Sequence, residues 1–114
     1  MLDLLSSSDN CHREGNNAER VVFLLTKPPH SERATLCFRL IKQSKNAVLY
    51  LAGDGIYNLM SCSIEILPKD SIYACMEDVD ARGVQPKHVA IHLDAFYEQF
   101  VKDLMCWSDR IYVF

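Results

Sequence analysis

Residues 21–42, VVFLLTKPPHSERATLCFRLIK, predict a buried strand that leads into an amphipathic helix. The apolar run VVFLLT is typical of a strand covered on both faces, and the two prolines of KPPH end it. Ser31 then offers a side-chain oxygen that can cap a helix. Four apolar residues of that helix recur at helical spacing, which places them on one stripe facing a core. They are Ala34, Cys37, Phe38 and Ile41.

The same alternation continues to the C-terminus. Further strands are predicted at residues 47–52 (AVLYLA), 71–75 (SIYAC), 88–93 (HVAIHL) and 110–114 (RIYVF). A short helix is expected over IYNLMSC, while IEIL, residues 64–67, fits a small strand or an extended connection. About one helical turn follows SIYAC and ends at Gly83, and Asp94 is expected to cap a last helix. The apolar stripe of that helix consists of Phe96, Tyr97, Phe100, Val101, Leu104 and Met105.

Strands that alternate with helices through short loops indicate an α/β fold. We expect a three-layer sandwich, with a mostly parallel sheet of about five strands and helices on both faces. Residues 1–20 are polar and rich in Ser, Asn and Asp, so we predict a flexible N-terminal tail. A single domain then covers residues 21–114.

Composition excludes several classes of function. The chain has 114 residues, of which 49% are hydrophobic and 24% charged, as in one ordinary globular domain. Its net charge of −3 argues against nucleic acid binding, which selects basic surfaces. No apolar run approaches the roughly 20 residues of a membrane span, and the first residues lack the features of a signal peptide. We therefore expect a cytoplasmic protein with reduced thiols and no direct contact with membrane or nucleic acid.

Five cysteines are spread along the chain: Cys11, Cys37, Cys62, Cys75 and Cys106. They cannot all pair within the chain, and none forms a C-x-x-C motif. Because zinc requires clustered Cys and His at short spacings, we expect no metal site. Cys37 lies on the stripe of the first helix, which favours packing, and Cys62 and Cys106 are expected to be structural.

Ligands of parallel sheets bind beyond the carboxyl ends of the strands. The residues predicted at that edge are Lys27, His30, Gly53, Asp54, Gly55, Cys75 and His92. Most of them have a simpler interpretation. GDG is typical of a tight turn and lacks the spacing of a nucleotide-binding loop, and the two histidines fit an exposed and a core position.

Cys75 is the strongest candidate for chemistry at this edge. A thiolate is stabilised by a following helix N-terminus and by nearby cations such as Arg82. Glu77, Asp78 and Asp80 act against it, because neighbouring negative charges raise the pKa of a thiol. From these residues alone, packing and reactivity both stay open for Cys75.

Three stretches, in their order and spacing, resemble a known family. They are VVFLLTKPPHSERATLCFRLIK, AVLYLAGDGIYNL and IYACMEDVDARGV, and the ending DRIYVF fits as well. Together they resemble the DsrE/DsrF/DsrH family of small sulfur-relay proteins, which includes the TusB, TusC and TusD subunits. GDGIYNL and IYACMEDVDARGV are most similar to the DsrH/TusB type. The resemblance covers residues 21–114.

The resemblance implies an α/β fold that assembles into trimers or hexamers, either with itself or with related subunits. It also implies that sulfur travels as a cysteine persulfide from donor to acceptor proteins, in tRNA thiolation or sulfur oxidation. Cys75 falls where the DsrE and TusD branch carries its sulfur-bearing cysteine, and Cys37 lies close to a cysteine with a role in the DsrH branch. TusB-type members lack a cysteine at the place of Cys75, so this sequence combines features of two branches.

The leading hypothesis is a sulfur carrier, in effect a sulfurtransferase without a cofactor, in which Cys75 or Cys37 is the reactive thiol. The residues expected to bind substrate or lower the thiol pKa are Lys27, His30, Gly53, Asp54, Gly55 and Arg82.

Two other hypotheses compete with the sulfur-carrier hypothesis. The first is a non-catalytic interaction subunit of the same family, which predicts a fully buried Cys75. The second is a flavodoxin-like or receiver-like module. It is disfavoured, because Asp54 lacks the acidic neighbours that a receiver site requires. Assembly into oligomers is a separate prediction, based on the apolar surface that the segments IYNLM and IYVF would supply.

Overall fold

A computed structural model of the chain describes residues 19–68, 70–85 and 89–114. Residues 1–18 of the predicted tail lie outside the described residues. The strands are β1 (Val21–Leu25), β2 (Ala47–Leu51), β3 (Ile72–Cys75), β4 (Ile91–Leu93) and β5 (Arg110–Val113). The α-helices are α1 (Glu32–Lys42), α2 (Met76–Arg82) and α3 (Phe96–Cys106). Two 3₁₀ helices, Gly53–Met60 and Cys62–Ile66, join β2 to β3, and we call them the 3₁₀ pair.

The five strands form one parallel sheet in the order β4-β3-β2-β1-β5, which confirms the predicted α/β fold. All five residues of the central strand β2 are buried, as expected of a strand covered on both faces. The connections from β1 through β4 cross the sheet in one direction, and the connection from β4 to β5 returns across it. Because such crossovers are right-handed, α3 lies on the face opposite α1, the 3₁₀ pair and α2.

Helix α1 forms as its sequence predicts. Ser31 is the N-cap: its Oγ accepts a hydrogen bond from the Ala34 amide at 3.1 Å and donates one to the Pro28 carbonyl at 2.8 Å. The four residues of the predicted stripe are all buried against the sheet: Ala34, Cys37, Phe38 and Ile41.

Helix α3 differs from its prediction in two ways. It begins at Phe96 with Ala95 in the cap position, so the expected cap by Asp94 was wrong. The six-residue apolar stripe is wider than the face that α3 buries, and Tyr97, Val101 and Met105 are exposed. Asp103, a carboxylate, is fully buried on that helix instead.

The buried Asp103 joins α3 to the start of the sheet. Arg20 donates to its carboxylate from Nε at 3.0 Å and from Nη2 at 2.6 Å. The Tyr50 hydroxyl donates a third bond at 2.7 Å. A buried charge is tolerated when it is paired and hydrogen-bonded in this way, which explains a polar residue where periodicity predicts none.

Three other segments differ from expectation. Residues 64–66 belong to the 3₁₀ pair rather than to a strand or an extended connection, and Leu67 is the C-cap of that helix. Ile64 and Leu67 are both buried and three residues apart, the spacing that a 3₁₀ helix places on one side. Helix α2 is longer than one turn, although it ends on Gly83 at φ 65° as predicted. The strand expected at 88–93 covers residues 91–93, and residue 88 lies outside the described residues.

Candidate functional site

Cys75 is the last residue of β3 and also occupies the N-cap position of α2, so no loop separates strand from helix. Side chains alternate between the faces of a strand, which puts Cys75 on the same face as Tyr73. Tyr73 stacks on Tyr50 with ring centroids 4.9 Å apart, and the Tyr50 ring contacts Phe96 and Phe100 of α3. The thiol therefore lies on the face of the sheet that α3 covers.

A cleft of about 290 Å³ opens beside this thiol, between the start of α2 and the start of α3. Four carboxylates and two aromatic rings border it: Glu77, Asp78, Asp94, Glu98, Phe96 and Tyr97. We call it the acidic cleft. Among the described residues no Lys, Arg or His lines it, and Cys75 itself is only 4% exposed.

Burial is the main influence on the thiol. It raises the pKa of Cys75, and the Asp78 carboxylate raises it further, whereas the backbone N–H groups of Asp78 and Glu77 act in the opposite direction. The Cys75 side chain makes no capping hydrogen bond to α2. Burial and the Asp78 carboxylate therefore favour the protonated thiol over the thiolate.

Three of the predicted site residues gather in a polar network behind the thiol. The Asp78 carboxylate accepts a hydrogen bond from the Gly53 amide at 2.8 Å and one from Arg82 Nη1 at 3.4 Å. Arg82 Nε donates to Asp54 Oδ1 at 3.1 Å. The network joins α2 to the 3₁₀ pair, and it directs the charge of Arg82 to two carboxylates.

The other predicted residues lie elsewhere. His30 borders two clefts beside α1 and the 3₁₀ pair, and Lys27 is exposed with its carbonyl bonded to the Asn58 side chain. Gly55 is required for packing, because a Cβ there would lie 1.9 Å from the Leu25 carbonyl oxygen. The structure does not place these three residues on the acidic cleft.

The second cysteine predicted to be reactive, Cys37, is sealed in the core. It has no exposed surface, and burial raises its pKa to about 12. Cys62, by contrast, is an exposed free thiol on the 3₁₀ pair. Of these three free cysteines, Cys75 alone is buried and also borders a cleft lined by carboxylates.

Sequence reasoning missed the roles of Asp78 and Tyr97. The sequence predicts Asp78 as an acid that suits the start of a helix and opposes the thiolate, whereas its bonds to Gly53 and Arg82 become visible only in the fold. Its place three residues after the strand end, where helix N-termini favour acids, was the available signal. Tyr97 was assigned to the core, yet it is 58% exposed and borders the acidic cleft.

The family model described as DsrH like protein matches residues 27–109, the greater part of the chain. This chain belongs to the DsrH-like family. That confirms the resemblance to the DsrH/TusB type, and it gives this DsrH-like protein a role in the sulfur-relay system, alongside related relay subunits. No curated protein and no solved structure matches the chain.

No helix in the described part of this DsrH-like protein is long and apolar enough to cross a membrane.

Proposed function

We propose that this DsrH-like protein carries sulfur as a persulfide on Cys75 and passes it between partner proteins, in tRNA thiolation or sulfur oxidation. The observation that supports the proposal is the position of Cys75, at the end of the inner parallel strand β3 and on the border of a cleft. Ligands of parallel sheets bind at this edge.

The proposed step is a thiol exchange. The Cys75 thiol loses its proton, its sulfur bonds to the outer sulfur of a donor persulfide, and the donor's S–S bond breaks. The donor cysteine leaves as a thiolate, and the persulfide now stands on Cys75. An acceptor thiolate later takes the outer sulfur by the same displacement, so that no oxidant or reductant is consumed.

For this step the acidic cleft requires positive charge from a docked partner protein. Its carboxylates and the burial of Cys75 favour the protonated thiol, and no cation of the described residues lines it. Positive charge brought by a docked protein would lower the thiol pKa and pair with Glu77 and Glu98. We therefore propose that donor and acceptor are proteins with basic surfaces rather than small anionic thiols.

Sulfur loading tests the proposal. The chain is incubated with a cysteine desulfurase and L-cysteine, and its intact mass and peptides are measured. A mass increase of one sulfur atom on the peptide of Cys75 is expected. Cys75→Ser should abolish it, and Cys37→Ser and Cys62→Ser should not. Equal loading of Cys75→Ser and wild type would refute the assignment.

A second candidate function is a non-catalytic interaction subunit in a homo-oligomer or hetero-oligomer. Its support is the near-complete burial of Cys75 together with apolar side chains exposed on one face of the sheet. Those side chains are Tyr97, Val101, Met105, Ile111 and Val113. Such surface commonly marks a protein interface.

The two candidates differ in a simple measurement. An interaction subunit self-associates or binds related subunits in sedimentation experiments, and Cys75 resists alkylation in the native protein with or without its partners. A carrier shows Cys75 alkylation that rises when a partner is bound.

A further inference from the structure

A second cleft lies on the other face of the sheet, between α1 and the 3₁₀ pair. Its volume is about 310 Å³. The polar side chains that border it are His30, Thr35, Arg39, Lys42, Asn58 and Ser63. No acidic side chain of the described residues lines it. We call it the basic cleft.

Asn58 has an unusual environment at the border of this cleft. The residue is 1% exposed, and its Nδ2 donates two hydrogen bonds of 2.9 Å, to the carbonyls of Lys27 and Gly55. Two carbonyl acceptors fix the orientation of the amide, because a flipped group would place its oxygen against both of them. Oδ1 is therefore on the other side, and it accepts no hydrogen bond from any described residue.

A buried acceptor without a donor is destabilising, so native structures rarely retain one that nothing satisfies. Asn58 borders the cleft, but its Oδ1 has less than 1 Å² of exposed surface. A group that enters the basic cleft with an O–H or N–H therefore reaches Oδ1 when an exposed side chain of the border, such as Thr35 or Arg39, moves aside. The amide is held in place for such a group, since both of its N–H bonds are already made.

The charges of the cleft select a complementary group. Arg39 and Lys42 are three residues apart on the last turn of α1, a spacing that puts both on one side of the helix. Neither forms an ion pair with a described residue, whereas Arg20, Arg82 and Arg110 all do. Two unpaired cations at a concave surface without carboxylates attract anions.

We propose that the basic cleft binds a small organic anion that carries its own hydrogen-bond donor. The anionic group pairs with Arg39 and Lys42, and the donor bonds to Asn58 Oδ1. The cleft is at the lower end of the size range of small-molecule sites, which spans about 300–1,000 Å³. The site lies on the opposite face from Cys75, and it does not depend on sulfur transfer.

NMR titration of the labelled full chain at constant ionic strength tests the proposal. The probes are glycerol 3-phosphate, which has both charge and hydroxyl donors, dimethyl phosphate, which has charge alone, and glycerol, which has donors alone. Glycerol 3-phosphate should give saturable shifts of the Arg39 and Lys42 signals and of the Asn58 side-chain amide. Dimethyl phosphate should bind more weakly and leave the Asn58 amide unchanged, and glycerol should not bind.

Matched variants on α1 separate a site from general charge attraction. Arg39→Gln and Lys42→Gln should each weaken glycerol 3-phosphate binding by about tenfold, since each removes one charged hydrogen bond. Arg33→Gln removes an exposed cation of the same helix that does not border the cleft, and should bind as wild type. The proposal is overturned by the absence of saturation, by equal weakening in Arg33→Gln, or by an Asn58 amide that does not respond to glycerol 3-phosphate.

Discussion

The acidic cleft and the basic cleft lie on opposite faces of one sheet, and they differ in how completely their polar groups are paired. In the acidic cleft the Asp78 carboxylate is already bonded to Gly53 and Arg82. In the basic cleft, Arg39 and Lys42 have no ion-pair partner in the described chain, and Asn58 Oδ1 has no donor. The acidic cleft thus contains one carboxylate that the fold already pairs, whereas among the described residues the basic cleft contains no paired charge.

This difference shows what each site lacks. Chemistry at Cys75 requires positive charge, which only a partner with a basic surface would bring. The basic cleft requires negative charge and a donor, which a small molecule can supply. The net charge of −3 gives no sign of either requirement, because it averages two surfaces of opposite sign.

The largest effect is expected from the ion pair that holds α3, the wall of the acidic cleft. Arg20→Met removes the partner of the fully buried Asp103 and leaves it with Tyr50 alone. We expect the free energy of unfolding, measured in urea, to fall by about 3 to 5 kcal/mol. Arg110→Met removes the exposed pair with Glu19 and should change little. Equal effects would show that Asp103 is not a structural link.

The next effect concerns the packing of the 3₁₀ pair, which borders the basic cleft, against β1. Gly55→Ala places a Cβ 1.9 Å from the Leu25 carbonyl oxygen, so the 3₁₀ pair must shift away from β1. We expect a loss of about 1 to 3 kcal/mol by thermal or urea unfolding. Gly83→Ala is the control: its Cβ meets open space, and the left-handed φ of 65° costs about 1 kcal/mol. A Gly55 variant no less stable than the Gly83 variant would contradict the close backbone approach.

Local pattern was enough to predict much of the fold. The apolar run at 21–26 and the stripe from Ala34 to Ile41 are governed by contacts within their own elements and by one buried face, so periodicity predicts them correctly. Asp103 could not be predicted in this way. Its burial depends on Arg20 and Tyr50, which lie 83 and 53 residues away in the sequence.

The candidate site was predicted in part for a related reason. The rule on strand ends places Cys75, Lys27 and His30 at one edge of the sheet, but it does not say on which face. The pleat of β3 directs Cys75 to the face of α3, whereas His30 borders the clefts beside α1 and the 3₁₀ pair. The expected cations therefore do not join the thiol.

A third prediction compares the sealed thiol of α1, Cys37, with the exposed thiol of the 3₁₀ pair, Cys62. Burial raises the pKa of Cys37 to about 12, above the ordinary thiol value of about 8.5. Between those values the unfolded chain releases a proton that the folded chain keeps, so stability falls as pH rises, by about 1.4 kcal/mol per pH unit.

Urea midpoints at several pH values between 8 and 10 test that slope. Cys37→Ala should be less stable than wild type at pH 8, and the difference should shrink as pH rises. Cys62→Ala, which removes an exposed thiol, is the control for the substitution itself and should have nearly the stability of wild type at pH 8. A Cys37→Ala curve parallel to wild type would mean that Cys37 is not sealed.

The smallest effects should come from exchanging the caps of the helices that border the two clefts. Ser31 caps α1 through a bond to the Ala34 amide, whereas Cys75 occupies the same position on α2 without a capping bond. Ser31→Cys should therefore cost about 1 kcal/mol, because sulfur is a weak acceptor. Cys75→Ser should change stability little, since a new bond to the first turn of α2 offsets the burial of a hydroxyl. Equal losses in the free energy of unfolding for the two variants would contradict the expected contrast. They would show that the Cys75 side chain stabilises the start of α2 as much as the Ser31 cap stabilises the start of α1.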